Sequence, residues 1–175
     1  AAEIAGEVSV LILEAEAQPG YHATGRSAAF WEETYGGPGV QPLTSSSGPW
    51  LRSPPDEYLT ESFLSPRGMV LMAGDEELPL LDAFENAFEG SGIEMHRIGR
   101  SRLLAHCDGL RPHWKCGIEQ RTCADIDVSA LHQAYLRVAK RRGAELRSDA
   151  ALISAARENG RWRIETRAGV FFADV

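Results

Sequence analysis

The apolar run Val8–Leu13 sets the tightest limit on what this chain folds into, because two acids, Glu14 and Glu16, follow it at once. Six residues, mostly β-branched or aliphatic and set between polar flanks, suit a strand buried on both faces. The expected strand covers residues 8–14. A turn at Pro19-Gly20 comes next, then a segment of small and polar residues, Ala23-Thr24-Gly25-Arg26-Ser27-Ala28-Ala29. A carboxylate just past such a strand can accept hydrogen bonds from both hydroxyls of a ribose. Small side chains leave backbone amides open, so that a diphosphate can come close. Strand, acid and amide-rich loop describe one side of a dinucleotide site. The same arrangement also punctuates α/β proteins that bind no nucleotide, so the motif by itself decides nothing.

With 175 residues, 43% apolar and 25% charged, the chain has the make-up of a soluble globular protein, long enough for one domain or for one and part of another. A net charge of −7 argues against a nucleic-acid groove or an anionic membrane surface. The local basic run Lys140-Arg141-Arg142 ends an expected helix, where it complements the helix dipole as a solvated end. Cys107, Cys116 and Cys123 form no CxxC pair, which favours reduced thiols and a cytoplasmic setting. No His/Cys set has ligand spacing, so no metal is expected. No apolar run approaches the roughly 18–20 residues of a membrane helix, and Ala1-Ala2-Glu3-Ile4 lacks the basic start of a signal peptide.

In chain order, residues 1–6 read as the tail of a helix with Gly6 near its cap. Residues 34–55 read as loop, punctuated by Gly36-Gly37-Pro38-Gly39 and Ser45-Ser46-Ser47-Gly48-Pro49, and a broken helix is expected within 50–63. Gly68–Ala73 reads as a strand, followed by a helix capped by Asp75 with Leu81, Phe84 and Phe88 on one face. Ile93–Ile98 is a further strand, Ser101–Leu104 opens a short helix, and 107–124 is mixed. The plainest helix is 128–142, where Val128, Leu131, Tyr135 and Val138 recur at spacings of three and four. Strands follow at Ala144–Arg147 and Leu152–Arg157. Asn159-Gly160 signals a hairpin to Trp162–Thr166, and a last strand starts at Val170 and runs to Val175. A long helix followed by a strand and a meander indicates a mixed α/β (α+β) fold with both kinds of strand pairing.

Three features in order resemble the D-amino acid oxidase/glycine oxidase superfamily of FAD-dependent oxidoreductases. VLILEAE followed by PGYHATGRSAA is similar to that family's second Rossmann strand and flavin-diphosphate loop. Asp127–Gly143 running into Ala144–Arg147 resembles the helix and strand that return to the cofactor domain. The meander WRIETRAGVFFADV resembles the one that leads into a VNAAG-like strand. The resemblance implies a partial Rossmann-like FAD-binding domain from 1–35 and 128–175, with 36–127 as part of a mixed-sheet substrate domain. It also places a GxGxxG turn just upstream of Ala1 and, beyond Val175, the strands expected to face the isoalloxazine ring, so the chain reads as incomplete at both ends and inactive by itself.

Carried over position by position, the resemblance makes Glu14 the ribose-binding acid and Ala15 a backbone contact to the adenosine. Thr24, Arg26, Ser27, Ala28 and Ala29 match the loop that wraps the diphosphate, and Leu152 falls where a main-chain amide and carbonyl hydrogen-bond adenine. His22 reads as a turn histidine rather than a point of covalent flavin attachment. The implied reaction is oxidation of a small amine or amino acid, with hydride passing to flavin N5. An arginine would clamp a substrate carboxylate, and Arg67, Arg97 and Arg121 are the candidates; no catalytic residue is singled out. A 2-hydroxy-acid oxidase, an NAD(P)-dependent enzyme and a non-catalytic α/β binding module are the alternatives. With sheet edges and apolar faces left open, the chain is also expected to self-associate.

Overall fold

A computed structural model describes residues 1–174. The chain runs β1 (Leu11–Leu13), β2 (Phe30–Trp31), α1 (Gln41–Arg52), β3 (Leu64–Pro66), β4 (Met69–Ala73), α2 (Leu78–Ala87), β5 (His96–Gly99) and α3 (Arg100–His106). It continues through β6 (Cys116–Gln120), β7 (Ala124–Ile126), α4 (Val128–Arg141), β8 (Glu145–Arg147), β9 (Leu152–Glu158), β10 (Arg161–Thr166) and β11 (Gly169–Ala173). These elements form two compact units. One comprises Ala1–Ala28, Pro55–Leu59 and Val128–Val175; the other comprises Ala29–Pro54 and Thr60–Asp127. The fold is mixed α/β, as the sequence indicates, with one parallel pair and three antiparallel arrangements.

In the first unit β1 pairs in parallel with β8, Leu11 opposite Glu145 and Leu13 opposite Arg147. Beyond the paired residues, the Glu145 N–H donates to the Val10 carbonyl and the Glu14 N–H to the Arg147 carbonyl, both at 2.9 Å. The strand expected over 8–14 is therefore three residues long, because β8 offers only three partners. Nor is it buried on both faces: Val8 is 56% and Leu11 38% exposed. Instead the core of this unit forms on α4, through Ala134, Val138 and Ala139. Tyr58 packs edge-on against Tyr135 of that helix, with ring centroids 5.4 Å apart, and donates its hydroxyl to Glu3 Oε1 at 2.7 Å. Burial and that bond push the Tyr58 phenol above its ordinary value.

The basic run at the end of α4 is more than a solvated helix end. Arg141 donates to the Glu57 carbonyl, and Arg142 donates to the Ala2 carbonyl at 2.9 Å and the Glu57 carboxylate at 2.6 Å. The N-terminal residues form hydrogen-bonded turns rather than an assigned helix, with the Ala5 N–H on the Ala1 carbonyl at 2.9 Å. The hairpin β9–β10 turns at Asn159-Gly160, both at positive φ as a type I′ turn requires. β11 closes that sheet antiparallel to β10. Val175, the last residue of the expected strand, lies outside the described residues.

In the second unit β6 lies between β4 and β5, and β7 between β2 and β3. Ile118 of β6, Ala73 of β4 and Leu81 of α2 make the core, with Phe84, Met95 and Leu71 packed on them. Two expectations change here. No side chain of Asp75 caps α2; the helix starts after Glu77, whose Oε2 accepts the Gly74 N–H at 2.9 Å. Residues 41–52 form α1 rather than loop. The Trp31 indole N–H donates to the Thr44 carbonyl at 2.8 Å, and a Cβ added at Gly48 would stand 2.6 Å from the same ring. A glycine that looks like a breaker is the only residue that lets the helix meet that indole.

Candidate cofactor site

Glu14 is the first residue past β1, and its surroundings are set by backbone pairing. Its N–H continues the ladder to Arg147, and its carbonyl accepts the Ala150 N–H at 2.8 Å. Glu16 repeats the pattern one step out, its carbonyl accepting the Asp149 N–H at 3.1 Å. The Glu14 side chain folds back so that Oε1 accepts the Glu16 N–H at 3.0 Å. The residue is half-buried, and among the described residues no cation pairs with its carboxylate. Ala15, next in line, is exposed.

The following loop is tied at two places. His22 Nε2 lies 2.7 Å from Glu16 Oε1, which makes it a turn histidine, its ring edge-on to Tyr21. At Gly20, with φ +80°, an added Cβ would come within 2.9 Å of the His132 ring on α4, so only glycine lets the loop lie this close to the helix. Thr24-Gly25-Arg26 then makes one 3-10 turn, with the Gly25 N–H on the Gly20 carbonyl at 2.6 Å. Thr24 is half-buried, while Arg26, Ser27 and Ala28 are exposed and Ala29 half-buried. The Ser27 hydroxyl donates to the Ala23 carbonyl at 2.5 Å. The Arg26 guanidinium sits 5.1 Å from the Tyr21 ring centroid and pairs with no carboxylate among the described residues.

Leu152, 65% exposed, opens β9 two residues beyond Ala150 and lies opposite Thr166. The structure thus brings Glu14, Glu16 and the start of β9 together through residues 147–150. Among the described residues no side-chain hydrogen bond joins Arg26 or Ser27 to Glu14; the loop is its own tied unit.

The three arginines considered for a substrate carboxylate are all engaged. Arg97 pairs with Asp82 at 2.5 Å and Glu85 at 2.8 Å on the surface, and Arg67 with Asp125 at 3.0 Å. Arg121 reaches Glu119 Oε2 with Nε at 3.2 Å and Nη2 at 3.1 Å. Glu119, its side chain only 6% exposed, also takes Arg102 Nη2 at 3.1 Å and His106 Nε2 at 2.9 Å on Oε1. Burial raises the Glu119 carboxyl, but the hydrogen bonds and charges of Arg102 and Arg121 outweigh it and hold the group below its ordinary value. Sequence reasoning missed this cluster. Its signals were an acid next to Ile118 near the end of the strand Cys116–Gln120 and two cations four apart on one helix face. All three cysteines are free, and burial pushes the Cys123 thiol up, so that residue is not a ready nucleophile.

Fold and site together define a mixed α/β chain whose parallel strand pair ends in an acid that meets no cation among the described residues, followed by a tied loop of small residues. The chain belongs to the DAO family of FAD dependent oxidoreductases, whose model matches residues 1–175. FAD is the cofactor of that family. Among solved structures, glycine oxidase from Geobacillus kaustophilus superposes with a TM-score of 0.85 at 17% identity, covering 99% of this chain and 49% of that one. L-amino acid deaminase from Proteus myxofaciens gives 0.77 at 19%, covering 97% and 40%. L-proline dehydrogenase from P. horikoshii gives 0.78 at 17%, covering 97% and 47%. At these identities the likeness establishes the fold, and the chain spans less than half the length of each of these three.

Proposed function

We propose that this chain supplies the adenosine and diphosphate side of an FAD site in an oxidoreductase acting on a small amine or amino acid. The observation that carries this reading is Glu14, a half-buried carboxylate at the end of a parallel strand with no cation paired to it among the described residues. A carboxylate that meets only the Glu16 N–H keeps most of its acceptor capacity open, and vicinal ribose hydroxyls supply two donors. Arg26 supports it too: an exposed guanidinium with no carboxylate among the described residues suits a diphosphate. The residues present therefore fit the cofactor chemically. Glu14 would hold the ribose, Ala15 would offer backbone to the adenosine, and Leu152 would present main-chain groups to adenine. Thr24, Arg26, Ser27, Ala28 and Ala29 would line the diphosphate. The flavin, when bound, supplies the two-electron acceptor for a C–N oxidation. The unit with residues 1–28 and 128–175 is read as the cofactor side, and the unit around β4, β5 and β6 as the substrate side. The neighbours named above are, by their names, proteins of amino acids, which favours that substrate class over a 2-hydroxy acid. Three free cysteines favour a reducing, cytoplasmic setting.

The test is FAD titration of the protein in its natural sequence context, read by the flavin absorbance between 350 and 500 nm and by retention through gel filtration. Wild type should retain flavin. Glu14→Ala should weaken binding by about tenfold, the loss expected for one charge-assisted hydrogen-bonded contact. Undiminished affinity in that variant would refute the assignment.

A further inference from the structure

The Glu119 cluster faces a cavity of about 420 Å³ in the second unit, lined by Arg67, Arg102, His106, Arg121 and Met69 beside Glu119 itself. We propose that this cavity is a binding site for a small dianion, a phosphate monoester or a dicarboxylate. The inference stands apart from the flavin reading and uses none of its residues.

Charge carries the argument. Three guanidinium groups stand against the Glu119 carboxylate and the Asp125 carboxylate that pairs with Arg67, which leaves one positive charge in surplus, and a protonated His106 makes it two. A structural clamp that fixes α3 to β6 needs one cation on Glu119; this one has Arg102, Arg121 and His106 together. The buried acid instead works as a template. It sits on the central strand of its sheet, opposite Val70 and His96, and draws cations from α3 and from the end of β6 toward one point. Without it they would repel one another into solvent.

Donors remain after the internal bonds are made. A guanidinium carries five N–H groups. Of these, Arg102 uses one on Glu119, Arg121 uses two, and Arg67 uses one on Asp125. Arg67 approaches from the strand connection before β4, held by that contact and by the Phe30 ring 5.0 Å away. It lines the cavity without touching Glu119, and the N–H groups it does not spend on Asp125 are left for whatever enters. Met69 and Val70 give the wall an apolar part, suited to a short carbon skeleton between two acidic groups. The volume falls within the range of small-ligand pockets. With the protonated His106 counted, a monoanion would leave the surplus half neutralised, whereas a dianion matches it.

Isothermal titration of the protein with inorganic phosphate and with succinate, against acetate at matched ionic strength, tests this. One of the two dianions should bind saturably at one site, and acetate should bind at least about tenfold more weakly. Whichever dianion binds more tightly identifies the ligand as phosphate-like or dicarboxylate. Arg67→Ala leaves the Glu119 contacts intact and should weaken binding about fivefold or more, as should Arg102→Lys, which keeps the charge but loses the planar fork. Arg97→Ala, on the surface pair with Asp82 and Glu85, should bind as wild type. Absence of saturable heat with both dianions, acetate binding as tightly as they do, or wild-type affinity in both Arg67→Ala and Arg102→Lys would each overturn the proposal.

Discussion

Glu14 and Glu119 are two carboxylates placed in opposite circumstances. Glu14 follows a short strand with one neighbour, is half-buried, and meets only a backbone N–H. Glu119 lies within the central strand of a three-stranded sheet, is nearly inaccessible, and meets three cations. An acid that keeps its acceptor capacity open is available to a neutral donor such as a sugar hydroxyl. One saturated with cations has lost that role and acquired another, which is to gather positive charge at one place. Residue type alone says nothing about which of these an acid will do. What decides is the element it sits on and what that element packs against.

The largest expected effect concerns the strands rather than the acids. Ile118, beside Glu119, is fully buried in the core with Ala73 and Leu81, so Ile118→Ala should cost about 2–5 kcal/mol of unfolding free energy. Leu13, beside Glu14, is only half-buried, and Leu13→Ala should cost well under half of that. Denaturant unfolding measures both. Equal losses would mean that β1 is as much a core strand as β6, and the contrast between the two acids would lose its basis.

Acid titration separates the carboxylates next. The folded-state value of Glu119 lies below its unfolded one, because the arginine contacts outweigh burial. Its stabilisation is therefore complete above the ordinary glutamate value of about 4.3, and it is lost as pH falls through the folded value. Glu119→Gln should lower the unfolding midpoint at neutral pH and flatten its fall below about pH 4. Glu14→Gln should leave the midpoint close to wild type and show its effect in FAD affinity instead. A Glu14→Gln variant that unfolds as readily as Glu119→Gln would break the comparison.

The contrast was half legible in the sequence. Glu14 stands out because an apolar run stops at it, and the periodic helix over 128–142 and the Asn159-Gly160 hairpin were readable for the same reason: local pattern and tertiary role agree there. α1 was not readable. Its Ser-Ser-Ser-Gly-Pro centre has loop chemistry, and it is helical because Trp31, ten or more residues away, bonds Thr44 and packs on Gly48. Glu119 was hidden for a related reason. Its partners come from α3 and from Arg121, and no local pattern announces which cations a buried acid will collect.

The smallest expected effect tests whether pairing without burial does anything. Arg97 makes two close contacts, to Asp82 and Glu85, and those contacts raise its guanidinium above its usual value, Glu85 first. All three side chains are more than a third exposed, so water and salt screen the pair and holding three long side chains in place costs entropy. Arg97→Ala should therefore change the unfolding free energy by no more than about 1 kcal/mol, and less at high salt. If it matched the loss from Glu119→Gln, then cation contact alone would explain what Glu119 contributes, and its place inside β6 would be incidental. A small effect here beside a large one at Glu119 shows that burial is what turns an ion pair into a structural centre, which is the condition the dianion pocket depends on.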